Sequence, residues 1–168
     1  MSEISRAVLD ALTRMGIAHR VVSHAPTATM EACAAVDLTL GALTPKNIFL
    51  TTKNHKRFYL CLTRPEARFV TSDVSKQAGS SRLSFGPEDM LYALLRCRPG
   101  SASPLGLLFD AERRVGLLVD RTLRDCPTLA FHPCDNTLTV AMAAADFFGV
   151  FLPALNVAPT EVTVAHGE

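Results

Sequence analysis

The chain has 168 residues, a length that fits one domain built around one sizeable core. Hydrophobic residues make up 48% and charged residues 20%, the ordinary balance of a globular protein. The formal net charge is +1, which excludes a strong overall field that would attract nucleic acid. Any basic patch would be local and rich in planar guanidinium groups, because the chain has thirteen Arg and only four Lys.

Cysteine usage and hydropathy predict a cytoplasmic protein. The five cysteines are odd in number and form no C-x-x-C pair, which favours reduced thiols. The N-terminus shows no signal-peptide pattern, and no apolar run reaches the ~18 residues of a membrane span. We therefore expect no membrane partner.

The first elements in chain order alternate between helix and strand. Apolar residues at helical spacing predict a helix over residues 2–15, and residues 17–23 predict a strand. A threonine cap predicts a second helix over 29–35. The β-rich runs 47–52 and 57–63 flank a polar turn, which is a hairpin signal.

The middle of the chain continues this mixture. Capping residues predict short helices over 73–79 and 87–95, followed by a Pro/Gly/Ser loop over 98–103. Apolar runs predict strands over 105–109 and 115–120.

The C-terminal part predicts strands over 128–132 and 137–142, a helix over 143–151 and a frayed tail over 159–168. Strands and helices do not follow a strict βαβ alternation. The sequence therefore predicts a mixed α+β fold, with a mixed or antiparallel sheet and helices around it. No break in composition marks a second domain, so residues 1–168 are expected to form one.

Lys46 is the first residue that could carry chemistry. It opens an apolar strand, and the period-2 alternation of a strand puts Lys46, Ile48 and Leu50 on one face. If that face is internal, the ammonium needs a partner, and a substrate phosphate or carboxylate would serve. The alternative is a strand-end lysine that reaches out to water.

The second candidate is the loop Gly100-Ser101-Ala-Ser103-Pro104. Small residues let the backbone approach a ligand closely, so its N–H groups could bind an oxyanion. The alternative is an ordinary loop. A nucleotide-binding P-loop is excluded because no G-K-[ST] follows.

The third candidate is His132, in a turn that also carries Cys134 and Asn136. Pro133-Cys134 matches half of the zinc-deaminase P-C-x-x-C signature, but position 137 is Thr and no H-x-E occurs. One His and one Cys are too few for a structural zinc site, so we predict no metal and no cofactor. A Cys–His nucleophilic pair is also disfavoured, because side chains two apart on a turn need not meet.

Taken in order along the chain, these segments resemble the YbaK/ProX family of aminoacyl-tRNA deacylases, which includes the editing domain of bacterial prolyl-tRNA synthetases. The resemblance covers almost the whole chain. The segments that carry it are His24-Ala-Pro26 with Thr29 and Glu31, Lys46-Asn-Ile-Phe-Leu50, Ser75-Lys-Gln-Ala-Gly79, Arg82-Leu-Ser-Phe85, and Phe131-His-Pro133 with Asn136-Thr137.

The resemblance implies a curved, partly barrel-like mixed sheet surrounded by helices. It also implies metal-independent hydrolysis of the ester in a mischarged tRNA(Pro). Within the family, the match resembles the free-standing proteins that clear alanyl-tRNA(Pro). Nothing resembles a synthetase catalytic core, so action in trans is implied. A site that admits only small side chains can remove alanine, which a proline site cannot reject by size.

The same resemblance implies a role for each candidate residue. Lys46 would hold the phosphate or ribose of the CCA end, and the N–H groups near Gly100 would stabilise the oxyanion. His132 would position the substrate. The implied substrate-binding residues are Asn47, Ser101, Ser103, Pro104 and Asn136.

Contact with the acceptor stem would fall to Lys76 and Arg82, for which a merely solvated surface is the alternative reading. Transient contact with prolyl-tRNA synthetase or an elongation factor is also compatible with the resemblance. Two alternatives stay open: a deacylase for another substrate, such as Cys-tRNA(Pro) or Ser-tRNA, and a nucleic-acid-binding module without catalysis. Near-neutral charge and two Tyr argue against the binding module.

Overall fold

A computed structural model describes residues 1–26 and 30–166 of the chain. The described helices are α1 (Glu3–Arg14), α2 (Met30–Leu40), α3 (Thr71–Gln77), α4 (Glu88–Leu95) and α5, in which Ala144–Asp146 and Leu152–Ala154 flank a π-helical turn, Phe147–Phe151. Two 3-10 helices span Pro104–Phe109 and Arg121–Asp125. The strands are β1 (His19–Ser23), β2 (Lys46–Thr52), β3 (Phe58–Thr63), β4 (Ala67–Arg68), β5 (Leu83–Phe85), β6 (Val115–Asp120), β7 (Thr128–Phe131), β8 (Leu138–Ala143), β9 (Thr160–Val162) and β10 (Ala165–His166).

Two sheets make one curved layer. The five-stranded sheet has the order β5-β2-β3-β6-β9, with parallel pairs at β3/β6 and β6/β9 and antiparallel pairs elsewhere. The three-stranded antiparallel sheet has the order β1-β8-β7. A parallel bridge between Leu43 and Leu129 joins the chain entering β2 to β7. The predicted mixed fold, with a curved and partly barrel-like sheet, is confirmed.

One side of this layer, which we call the inner face, packs on the main hydrophobic core. Helices α1, α4 and α5 cover it, as expected for an α+β layer architecture. Helix α1 buries Val8 and Leu12 there, the result of its apolar spacing. The Ser5 hydroxyl of α1 donates to the carbonyl of Pro133 at 2.8 Å, which ties this helix to the turn after β7.

The opposite side, the outer face, is covered by two separate helices. Under α2, Leu40 packs with Ala130 and Ala141. Under α3, Val74 belongs to a second cluster, with Leu50 of β2 among its members. Because each cluster is small, the outer face between α2 and α3 has room for polar side chains.

Two element predictions are wrong. Residues 105–109 belong to a 3-10 helix, because the Ser103 hydroxyl accepts the N–H of Leu105 and Pro104 opens the turn. The tail is not frayed over residues 160–166, because β9 pairs with β6 and β10 pairs with β4. The Gln77 side chain also bonds both backbone groups of Thr163, at 2.9 and 2.7 Å.

Helix boundaries differ more modestly. Helix α2 extends to Leu40, five residues beyond its predicted end, and the predicted cap Thr29 lies outside the described residues. Helix α3 starts at Thr71, so Asp73 lies in its first turn and does not cap it. Among the described helices, none is long and apolar enough to cross a membrane.

Candidate functional site

Alternation along the chain entering β2 determines which candidate residues share a face. Leu43 packs on the inner core, whereas Ala42 packs with the cluster under α2. Phe49 again faces the inner core, and Leu50 faces the cluster under α3. Lys46 therefore lies on the outer face, between the two helices.

Register then aligns residues of neighbouring strands across this face. Lys46 is paired with Thr63 of β3, and continuing the β3/β6 register by one residue pairs Thr63 with Asp120. On the other side, His132 and Lys46 each lie three residues beyond the Leu129–Leu43 bridge of two parallel segments. Continuing the β7/β8 register pairs His132 with Thr139. We call this set the outer row: Thr139, His132, Lys46, Thr63 and Asp120.

His132 is buried in the outer row, and its ring is oriented by the backbone. Nδ1 lies 2.7 Å from the carbonyl oxygen of Leu138. A carbonyl can only accept, so Nδ1 carries a proton and Nε2 of the neutral ring is the acceptor. Burial lowers the pKa of His132 from its ordinary 6.5, and nearby His24 lowers it further, while the Leu138 hydrogen bond, Asp135 and Asp37 oppose this.

His24 extends the polar region towards β1. Its ring centroid is 6.1 Å from that of His132. Nδ1 donates to the carbonyl of Ala25 at 2.7 Å, and Nε2 lies 2.7 Å from the Thr139 hydroxyl. In the neutral ring Nε2 accepts from that hydroxyl. Two histidines and a threonine thus form one arrangement on the outer face.

Asp37 connects α2 with the entrance to β2. Its carboxylate accepts the Thr44 N–H at 3.0 Å and also the Thr44 hydroxyl. This attachment holds α2 beside the segment that leads to Lys46. It also brings a carboxylate towards His132, since Asp37 contributes to raising the pKa of that ring.

Lys46 is half-buried at the start of β2. Among the described residues, its ammonium has no hydrogen bond or ion pair. A half-buried cation in this situation has lost part of its hydration without a protein partner to compensate it. The arrangement suits a lysine that binds an anionic ligand.

Asn47 lies on the other side of the strand. Its register partner is Leu62 of the inner core, so its side chain shares the inner face. Nδ2 donates to the Pro45 carbonyl at 3.1 Å, and the buried Oδ1 has no hydrogen-bond partner among the described residues. Lys46 and Asn47 are therefore adjacent in sequence but face opposite sides of the sheet.

The loop 100–104 reaches the turn after β7. Gly100 has φ +86°, and a Cβ built on it would lie 3.7 Å from Nδ2 of Asn136. The structure thus brings Gly100 and Asn136 together, as the sequence predicted for one site. Asn136 itself is half-buried, next to Asp135, whose pKa is lowered by hydrogen bonds from the Thr137 hydroxyl and backbone N–H.

The other predicted loop residues have structural tasks within the loop. The Ser101 hydroxyl donates to the Arg98 carbonyl and accepts its N–H, at 3.0 and 3.1 Å. The Ser103 hydroxyl accepts from Leu105, and both Ser103 and Pro104 are buried. Their side chains shape the loop, so a contact with substrate would come from the backbone.

The cysteines near the site are poor nucleophiles. Sγ of Cys134 lies 3.4 Å from Sγ of Cys97, and this hydrogen bond, with burial, raises the pKa of Cys134 well above its ordinary value. Burial raises the pKa of Cys61 to about 12. In the part of the chain that the structure describes, no group of three or more His, Cys, Asp or Glu side chains could hold a metal ion.

Lys76 and Arg82 are exposed beside α3, at its last turn and before β5. Neither forms an ion pair with another described residue. A separate cavity of about 450 Å³ opens where β7 begins, with Arg124, Cys126 and Phe148 in its wall. That cavity contains none of the predicted site residues and lies at the opposite end of β7 from His132.

Several members of the polar region were not among the predicted site residues. They are His24, Asp37, Thr63, Asp120 and Thr139. His24 carried a signal, the His-Ala-Pro segment, whereas Asp37 lay beyond the predicted end of α2. Thr63 and Asp120 sit in ordinary apolar strands, and only the parallel β3/β6 pairing brings them level with Lys46.

Comparison with known proteins agrees with this architecture. A family model described as "Aminoacyl-tRNA editing domain" matches residues 24–149. "Prolyl-tRNA editing protein ProX" of Acetoanaerobium sticklandii is 28% identical over 144 residues, covering 86% of this chain and 88% of that protein. "Prolyl-tRNA synthetase associated domain-containing protein 1" of Danio rerio is 27% identical, with coverages of 86% and 79%.

A solved structure described as "a putative trans-editing enzyme for prolyl tRNA synthetase" has the same fold, with a TM-score of 0.74 and 17% identity over 99% of both chains. The family match spans the chain from His24 through the π-helical turn of α5, and so includes every residue of the outer row. The chain belongs to the aminoacyl-tRNA editing domain family.

Proposed function

We propose that this protein hydrolyses the ester of mischarged tRNA(Pro) in trans, with alanyl-tRNA(Pro) as its substrate and without a metal ion. The observation that carries the proposal is the outer row, in which a half-buried ammonium without a described protein partner lies level with a buried, backbone-oriented histidine. One group suits an RNA phosphate or ribose, and the other suits the aminoacyl group.

In this mechanism the residues bind and position more than they exchange protons. Lys46 holds the terminal phosphate or ribose of the CCA end and moderates the developing negative charge. His132 stays neutral and uses Nε2 as an acceptor that orients the substrate. Water, or water activated by the vicinal ribose hydroxyl, attacks the ester carbonyl.

The proposed oxyanion site is the backbone near Gly100. A positive φ at this position lets the loop present N–H groups that an ordinary turn would direct elsewhere. Asn136 lies beside Gly100 and would hydrogen-bond the same end of the substrate. Asn47 faces the inner side of the sheet, and its unpartnered Oδ1 would act on the substrate from the strand edge.

The deciding experiment is a deacylation panel with alanyl-, prolyl-, cysteinyl- and seryl-tRNA(Pro), run with and without a strong chelator. We expect rapid release of alanine, slow release of proline, and no effect of the chelator. Preferential release of cysteine or serine would assign the other substrate. Loss of activity in EDTA with recovery in zinc would contradict the metal-free mechanism, and binding without any hydrolysis would favour a binding module.

A further inference from the structure

Three polar groups of the outer row are without partners in the described structure. Thr63 is fully buried, and its Oγ1 has no hydrogen bond there. Asp120 is 1% exposed, and its Oδ2 also has none. Lys46 completes the set with its ammonium. Buried polar atoms in folded proteins almost always have partners, so three exceptions in one row require an explanation.

The three groups are side by side on the same face. Lys46 is paired directly with Thr63, and Thr63 is followed by Asp120 on β6. Asp120 raises the pKa of Cys61, an outer-face residue of β3, which agrees with the direction assigned to its carboxylate. Neighbouring strands are about 4.8 Å apart, so the backbones of Lys46 and Asp120 are separated by about 10 Å. A lysine stem and an aspartate stem together can span that gap.

The other oxygen of Asp120 is already held in place. Oδ1 accepts from the N–H and the hydroxyl of Thr122, at 3.0 and 2.9 Å. Arg64 in turn donates to the hydroxyl and the carbonyl of Thr122. The carboxylate is therefore fixed by one oxygen and presents the second towards Thr63.

We propose that Asp120 is a positioning residue for Lys46, acting through the hydroxyl of Thr63. The hydroxyl donates to Oδ2 of Asp120 and accepts from the Lys46 ammonium, two bonds that one threonine can make together. This chain orients the ammonium towards the substrate anion and supplies the counter-charge for it. The role rests on the proposed function, because the anion that Lys46 meets is the CCA end.

The test is a spectroscopic one that does not depend on activity. The chain has four lysines, so protein labelled with ¹³C at the lysine ε-carbon gives a simple two-dimensional spectrum. The Lys46 signal is assigned by its loss in Lys46→Arg. We expect Asp120→Asn and Thr63→Val to shift that signal while the other three lysine signals stay in place.

Asp110→Asn is the matched control. Asp110 is also a buried carboxylate next to β6, but its two oxygens accept from the N–H groups of Arg114 and Val115, away from the outer row. This variant should leave the Lys46 signal unchanged. Thr63→Val removes only a hydroxyl at constant shape, so it tests the proposal even if Asp120→Asn does not fold.

Kinetics supply the second arm. We expect Asp120→Asn and Thr63→Val to lower kcat for alanyl-tRNA(Pro) about tenfold with KM within about twofold, the signature of a misplaced group. A Lys46 signal that neither substitution moves would overturn the positioning role. If the wild-type protein hydrolyses no aminoacyl-tRNA, the proposed function fails, while the spectrum still decides whether Asp120 acts on Lys46.

Discussion

At the scale of single residues, Lys46 is a position whose value lies in binding. The half-buried ammonium makes no ion pair in the described structure, so it contributes little to folding. An RNA phosphate would restore the interactions that burial removed. Activity and stability should therefore separate at this residue.

We predict that Lys46→Ala lowers alanyl-tRNA(Pro) hydrolysis at least ~100-fold, because loss of the positioning contact misplaces the ester. The free energy of unfolding should change by less than about 1 kcal/mol. Lys46→Arg should fail as well, because a planar fork does not replace a point charge in a tight site. Turnover and the thermal midpoint are measured together, with Lys53→Ala at the exposed hairpin tip as the control. Near-normal turnover by Lys46→Ala would exclude its assigned role.

His132 leads to a prediction about pH. Burial lowers its pKa below 6.5, so between that value and its folded pKa the unfolded chain binds a proton that the folded protein does not. The contribution to stability is fully present above about pH 6.5 and is lost as the pH falls through this window.

We therefore expect the thermal midpoint of the wild type to fall more than that of His132→Gln between about pH 7 and about pH 5. His55→Asn, at an exposed position with φ 55°, should keep the wild-type dependence. Parallel curves for the wild type and His132→Gln would show that this ring does not titrate as described.

The residues of the site could be predicted only in part. Period-2 alternation correctly put Lys46 on a face with Ile48 and Leu50, because that property is local. The opposite orientation of Asn47 follows from the same alternation. Asp120, however, comes level with Lys46 through a parallel register between strands far apart in the chain, and no local pattern encodes that register.

At the scale of elements, the loop before the 3-10 helix and the turn after β7 define the other half of the site. The apolar run 105–109 suggested a strand, since a short apolar run reads equally well as buried strand or buried helix. The cap at Ser103 and the proline after it decide for the helix. Its start then fixes the loop that carries Gly100.

Gly100 gives the prediction at this scale. An alanine at φ +86° is strained by roughly 1–2 kcal/mol, although its Cβ would find space beside Asn136. Gly79 has φ +67° at the end of α3, with nothing within 4 Å of a built Cβ. We expect Gly100→Ala and Gly79→Ala to lose similar amounts of stability in denaturant unfolding, and only Gly100→Ala to lose deacylation. Equal activity in the two variants would remove the loop from the proposed oxyanion site.

At the scale of the whole molecule, the net charge of +1 means that an RNA substrate must be held by local groups. Most of the outer row is covered by protein, and cations at the surface have to provide the contacts that lie outside the pocket. Lys76 and Arg82 flank the region under α3, on the same outer side as Leu50 and Val74. We propose them as the contacts of the acceptor stem.

The last prediction follows from counterion release. Each phosphate contact adds roughly 0.7–0.9 to the slope of log affinity against log salt, so a protein with few contacts should have a shallow slope. The double variant Lys76→Ala/Arg82→Ala should raise KM for alanyl-tRNA(Pro), leave kcat within about twofold, and reduce the slope by about 1.5. Lys53→Ala/Lys56→Ala removes two exposed cations from the β2–β3 turn and should change neither quantity. If both double variants keep the wild-type KM and slope, the acceptor stem does not lie along α3, because removing two phosphate contacts cannot leave the salt dependence unchanged.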